Sequence, residues 1–190
     1  MKLIGSVTCL LFICVAAALG DEPAAKPSEA KPRVGTYDSR AIVAAYFFSP
    51  VYCAGEGKKA FELEAELKKA KAEGNEKRVA EAEAKLNDMV KTVMVPRHKQ
   101  LFSTAPVEDI LVHIKDQMRE IAKTAGVDPI VSKWDKDALA KYKGAEFVDV
   151  TMAMVNAFRP TEKQLKLARE IQKQEPIPLE KADKIDWTKE

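Results

Sequence analysis

Histidine, cysteine and net charge are all scarce in this chain. It holds two histidines and three cysteines in 190 residues, and its formal net charge is only +2. Each shortage excludes something. Cys9 and Cys14 lie in the apolar run at the start of the chain, which leaves Cys53 alone and rules out a disulfide framework. Cys53 then reads as a small buried hydrophobe, or as a link between subunits. There is no P-loop, no dinucleotide fingerprint, no paired-cysteine zinc motif and no glycine-rich nucleophile elbow. Asp109 and His113, four residues apart, could share a helix face as metal ligands, and His113 with Asp109 or Asp116 could form a general-base pair. A solvated helix face explains both spacings more simply, and His98 or Cys53 adds no nucleophile arrangement. We therefore expect no catalytic residue, no metal and no cofactor, and a protein that is not an enzyme. The near-zero charge gives no bias toward nucleic acid.

What is present begins with a leader-like start. Met1-Lys2, an apolar run from Leu3 to Leu19 and the small-x-small sequence Ala18-Leu19-Gly20 read as a signal peptide over 1–20, cleaved after Gly20. Gly5, Ser6 and Thr8 interrupt the run, which is barely long enough to span a membrane, and no lipid-attachment cysteine pattern closes it. The expectation is export, with no stable membrane anchor after cleavage. Residues 21–32, rich in Pro, Ala, Glu and Lys, read as a flexible linker.

The strongest pattern is a sequence that folds back on itself. Ala60, Leu63, Leu67 and Ala70 recur at 3-4-3 spacing, and after Glu73-Gly74-Asn75-Glu76 the rhythm resumes at Val79, Ala82, Leu86, Met89 and Val93. Reversal between Gly74 and Asn75 sets Ala70 opposite Val79, Leu67 opposite Ala82, Leu63 opposite Leu86 and Ala60 opposite Met89. Gly and Asn both tolerate the left-handed backbone that ends a helix. The arm, over 57–93, is thus an antiparallel helical hairpin, each rod about 25 to 30 Å long at roughly 1.5 Å per residue. Outside the seam it is nearly all Lys, Glu, Arg and Ala, with Phe61 as the one large exception. Little is left to bury against a third element, so the hairpin should project or pack loosely.

Around it the chain reads as a small body. Arg33-Val-Gly-Thr-Tyr37 is a strand, capped at Asp38-Ser39 into an apolar helix from Arg40 to Phe48 that ends at Ser49-Pro50. Val95-Pro96-Arg97-His98 should interrupt the second arm, and Pro106 should sit in the first turn of a helix running from Val107 to Ala125, stopped by Gly126. Val127 to Trp134 reads as a strand, Asp135-Lys-Asp137 as a turn, Leu139 to Tyr142 as an edge strand and Phe147 to Phe158 as an apolar helix. After Pro160 a capping box at Thr161 and Gln164 opens another helix, which breaks at Pro176-Ile-Pro178. Leu179 to Glu190 should be extended, pinned by Trp187. The fold class is α+β, mostly helical, with a small β-sheet body and an inserted antiparallel α-helical coiled-coil hairpin. Trp134 reads as core or interface. Met89, Met118, Met152 and Met154 read mainly as core, although methionines can also form an adaptable binding surface.

This order of elements resembles the periplasmic chaperone family Skp, also called OmpH-like. The resemblance rests on Val34-Gly-Thr-Tyr-Asp38 with its helix, on the arm, and on Ile121-Ala-Lys-Thr-Ala-Gly-Val-Asp-Pro-Ile-Val131 followed by Phe147-Val-Asp-Val-Thr151. It covers 33–159. The arms here are shorter and closer to neutral than the family's, and 160–190, a C-terminal helix and tail, extends past its usual end. The resemblance implies a periplasmic location and a homotrimer whose arms hold unfolded envelope proteins during outer-membrane protein assembly. Such an assembly would also bury Val34, Tyr37, Ala44, Phe47, Phe48 and Ile130, the candidate oligomer interface, because a small sheet and an apolar helix are marginal alone. The alternative function is an envelope structural or adaptor protein that grips one folded partner with the hairpin.

Overall fold

A computed structural model describes residues 31–188. The leader, its cleavage site and nearly all of the 21–32 linker lie outside the described residues. Strand β1 (Arg33–Tyr37) leads into α1 (Ser39–Tyr46) and the short α2 (Pro50–Ala54). The helix pair α3 (Glu56–Ala72) and α4 (Glu76–Met89) follows, then a π-helical turn (Val90–Met94) and α5 (Val95–Phe102). Next come α6 (Glu108–Leu111), a 3-10 turn (Val112–Ile114) and α7 (Lys115–Ala125). The remaining elements are β2 (Ile130–Ser132), α8 (Lys136–Ala140), β3 (Glu146–Asp149), α9 (Thr151–Ala157), α10 (Glu162–Ile171) and α11 (Leu179–Ala182). The chain is mostly helical around a three-stranded sheet ordered β2-β1-β3, with both pairings parallel. Parallel neighbours need crossovers, and the first of these, from β1 to β2, carries the helix pair.

The α3–α4 pair turns where Gly74 adopts φ +64° and Asn75 caps α4 by accepting the Arg78 backbone N–H at 3.1 Å. Ion pairs Lys71–Glu83 (3.0 Å) and Lys85–Glu66 (3.5 Å) cross between the helices in antiparallel register. Beyond the root, the two helices pack mainly on each other. At the root, Arg97 is buried and grips Glu56 with Nη2 (2.6 Å) and Nε (3.2 Å), bonds Asp109 and Gln100 through Nη1, and lies 5.4 Å from the Tyr46 ring centroid. Burial opposes its charge, but its hydrogen bonds to the Glu56 and Asp109 carboxylates outweigh that and raise its pKa.

Several expectations change. Pro96 does not interrupt the returning helix. It lacks the N–H that would bond Thr92, and the chain passes it through one π turn, in which Val95 N–H bonds Val90 O, before resuming α geometry. The helix expected from Val107 to Ala125 is split by its 3-10 turn, and Pro106 lies before it rather than in its first turn. Gly126, at φ +62°, does end it. Residues 139–142 are not a strand: Asp135 caps a helical turn there by accepting the Ala138 N–H at 2.9 Å. The third strand lies instead at Glu146–Asp149, overlapping the start of the stretch expected to be helical, and helix begins only at Thr151. The tail is not extended either. It forms α11, and Trp187 stacks on Phe102 (centroids 6.3 Å apart) while donating to Ala182 O at 3.0 Å.

The strand ends meet at one buried carboxylate. Asp38 takes hydrogen bonds from Arg40 Nε (3.1 Å) and Nη2 (2.9 Å) and from Trp134 Nε1 (3.3 Å), and pairs with Lys133 Nζ at 2.7 Å. Its backbone N–H bonds Thr151 Oγ1 at 3.0 Å, and Arg40 reaches Gln174 O at 2.8 Å. Thus β1, β2, α9 and the end of α10 share one polar knot. Burial alone would raise the Asp38 carboxyl, but the Arg40 and Lys133 hydrogen bonds and charges hold it below its ordinary value. A depressed carboxylate stabilises the fold above the unfolded-state pKa, about 4, and that contribution fades as pH falls through the folded value. Asp38→Asn should therefore cost about 3 kcal/mol at pH 7, because it leaves Arg40 charged and buried. It should also flatten the loss of stability below about pH 4. Urea unfolding of both proteins at pH 7 and pH 3 checks this.

Candidate functional site

All eight residues of α1 are buried, and four helices, α5, α6, α9 and α10, pack on it, with Ile130 and Val148 of the sheet set against the same core. One of them, α10, belongs to the extension after Pro160. It buries Gln164, Ala168 and Ile171, and Gln164 Nε2 donates to the carbonyls of Ala45 (3.2 Å) and Phe47. Those are carbonyls that the end of α1 would otherwise leave unpaired. The Gln164 side-chain oxygen accepts the Thr161 N–H at 2.6 Å, completing the capping box.

Cover runs out at the end of α1, and a groove opens there. Its floor is Ala44 and Phe47; Met94, Leu101 and Phe102 form one wall, and Thr161, Gln164 and Leu167 the other. The volume is about 600 Å³. A second lobe of about 430 Å³ shares Phe48, Tyr52 and Met94 with it and continues onto the helix pair past Phe61, Leu86 and Val90. Seven large apolar side chains are exposed among the described residues, and five of them, Phe48, Phe61, Val90, Phe102 and Leu167, line these two lobes. Exposed apolar residues scattered singly would need no explanation; gathered in one concavity they mark a binding surface. A larger hollow of about 780 Å³ on another face of the helix pair is edged by Glu56, Lys59, Glu62, Glu66, Lys85 and Asp88 and has the character of a solvated surface.

Phe48 is the most unusual residue of the groove. It is 68% exposed and sits at φ +61°, a left-handed conformation that costs a side-chain-bearing residue about 1–2 kcal/mol. Edge contacts to Tyr52 (5.8 Å) and a tilted contact to Phe47 (6.4 Å) hold the ring over the junction of the two lobes.

The residues singled out by sequence fall as follows. In the seam, Ala70, Ala82 and Met89 are buried and Ala60, Leu63, Leu67, Val79 and Leu86 are half-buried, while Gly74 and Asn75 are exposed at the tip. Leu86, Ala60 and Met89 also border the groove's second lobe. Of the six interface candidates, Val34, Tyr37 and Ala44 lie inside the chain's own core, Phe47 and Ile130 are half-buried, and Phe48 alone stands out. The partner that α1 needs is supplied in cis by α10. Cys53 is exposed, not buried, because the five-residue α2 turns only Tyr52 inward. Asp109 and His113 are not a ligand pair: Asp109 bonds Arg97 and Gln100, and His113 stacks on Tyr46 at 5.7 Å. Asp116 pairs loosely with Arg119 at 3.6 Å. His98 lines the groove. No group of three or more His, Cys, Asp or Glu among the described residues is placed to hold a metal. Trp134 is flanked by Arg40 and Lys133, whose charged atoms lie 5.1 and 4.7 Å from its centroid. Met154 is core, and Met118 and Met152 pack against it.

Sequence reasoning did not single out Met94, Leu101, Phe102 or Leu167. A signal existed in the adjacent pairs Phe47-Phe48 and Leu101-Phe102: neighbouring residues on a helix face different ways, so two adjacent large apolar residues at a helix end cannot both be covered by one partner. Comparison with family models, curated proteins and solved structures finds no match to this chain.

Because the Phe48 ring is exposed and its backbone strained, Phe48→Asn, which tolerates the left-handed region, should leave stability unchanged or raise it by about 1 kcal/mol. Urea midpoints of the two proteins measure the difference. A loss of more than about 1 kcal/mol would show that the ring is structural.

Proposed function

We propose that this chain is a non-catalytic holdase of the cell envelope, exported by its leader, that shelters apolar segments of unfolded envelope proteins in the groove between α5 and α10. The observation that carries this reading is the concentration of five exposed large apolar side chains in that groove and its extension along the helix pair. Holding an unfolded chain needs adaptable apolar contact and no reacting group. Met94 and Met89 add flexible, polarisable surface to an apolar lining that also holds Phe48, Tyr52 and Phe61.

The likeness to Skp supports the reading through the order of elements, with a coiled-coil hairpin inserted between two strands of one small sheet. It differs in where clients would sit. A cage formed by three sets of arms is the family's arrangement, whereas this chain places its apolar surface at the root of the arm and covers α1 with its own extension. Holding therefore does not depend on a homotrimer here; if three copies assemble, they do so through surfaces other than Val34, Tyr37 and Ala44.

The charged hollow on the other face of the helix pair favours a second reading, an adaptor that grips one folded partner through charge contacts. The two readings separate in one assay. An unfolded outer-membrane barrel is diluted from urea with stoichiometric amounts of this protein, and light scattering is followed. The holdase reading predicts suppressed scattering, with most of the protection lost in Phe48→Asn and Phe61→Glu, two variants at exposed sites. Absence of protection at every ratio overturns the holdase. Capture of a single folded partner, abolished by Leu63→Glu and Leu86→Glu but not by Phe48→Asn, establishes the adaptor instead.

A further inference from the structure

A separate cavity of about 440 Å³ opens at the carboxyl ends of β1 and β2 and shares no residue with the apolar groove. In sheets with parallel strands that edge is where ligands commonly bind, because the strand ends and following loops converge there. Tyr37 and Ser39 come from the end of β1 and the start of α1, Ser132 from the end of β2, and Glu108 and Asp135 from the segments facing them.

Two independent observations mark it as more than a surface dip. Ser39 is 1% exposed, and its Oγ is the one buried side-chain oxygen or nitrogen among the described residues without a hydrogen-bond partner. An unmade hydrogen bond at a buried hydroxyl is unfavourable, so a group that supplies the missing partner is favoured there. The second observation is charge. Glu108 and Asp135 are exposed at the rim, and neither carboxylate forms an ion pair among the described residues. The nearby cations Arg40 and Lys133 are already paired with Asp38. Burial first, and then the negative field of Glu108 and Asp135, push the Tyr37 phenol above its ordinary value, which keeps it a neutral hydroxyl. Leu111, Ile130 and Pro106 supply apolar wall between the hydroxyls and the carboxylates.

We propose that this cavity binds a primary alkylammonium group, its carbon chain along Leu111 and Ile130, its nitrogen donating to the hydroxyl oxygens of Tyr37 and Ser39, and its charge balanced by Glu108 and Asp135. An ammonium has three donors and no acceptor, which matches a site made of hydroxyl and carboxylate oxygens. The same chemistry is offered by a lysine side chain of a polypeptide and by a free diamine.

The test is a ¹H–¹⁵N NMR titration of the protein with cadaverine, with Nα-acetyl-lysine N-methylamide, and with pentanol as the uncharged control. Saturable shifts of the Trp134 indole and the Ser39 and Ser132 amides are expected with at least one amine and not with pentanol. Stronger binding of the lysine derivative assigns the site to polypeptide side chains, and stronger binding of cadaverine to free diamines. The double variant Glu108→Gln, Asp135→Asn, altered only at exposed positions, should bind about tenfold more weakly. Leu111→Trp should block the cavity. The proposal is overturned if neither amine gives a saturable shift, if pentanol gives the same one, or if both variants bind as tightly as the parent.

Discussion

A helix that is apolar on every side has to be covered on every side, and α1 imposes that constraint on the rest of this protein. The residues from Ala41 to Tyr46 are at most 2% exposed. The helices α5, α6, α9 and α10 meet it in turn, and Gln164 closes the carbonyls at its end. Taking α10 away would return α1 to water along one side and free two carbonyls, so the extension after Pro160 is integral to the body. The groove follows from the same geometry. Where α1 stops, α5 and α10 continue past it, and the space between them has Phe47 as a floor and nothing as a roof.

Charge fixes the arm to this frame. Arg97 sits beyond the π turn, on the helix that returns from the arm, and binds Glu56 at the start of the outgoing one, Asp109 on α6 and the face of Tyr46 on α1. A buried guanidinium with three partners has one low-energy arrangement, so the apolar face of the arm and the groove of the body are held as a continuous surface. Phe48 lies at their junction. A large aromatic that is exposed in a left-handed backbone is unfavourable on two counts, and such residues persist where function uses them.

The helix pair was legible in the sequence because its signal is local: seam spacing, a Gly-Asn tip and mixed charge all lie within 57–93. The β1–α1 unit was legible for the same reason, with Asp38 as its cap. The third strand was not. Glu146-Phe-Val-Asp149 is too short to show a period, and it precedes a true helix that masks its start. Pro96 misled because a helix can absorb one missing donor by widening a single turn. Residues 136–140 form a helix through the Asp135 cap, a feature as local as the others but read as a turn at 135–137 followed by an edge strand at 139–142. The apolar groove was the least legible feature, since its floor and walls come from 44–48, 94–102 and 161–167, and no local pattern joins those three segments. The burial of Val34, Tyr37 and Ala44 by the chain itself was hidden in the same way: an apolar helix announces that it needs a cover, but not whether the cover is another copy or a later part of the same chain.

The proposed holdase function places an unfolded segment in the groove. Site-specific photocrosslinking tests it most directly. A photoreactive phenylalanine analogue is placed at Phe61, at Phe102 or, as a control on the charged face, at Lys59, and each protein is illuminated with an unfolded outer-membrane barrel. Adducts from positions 61 and 102 and none from 59 are the predicted result; equal adducts from all three positions, or adducts from 59 alone, would contradict it.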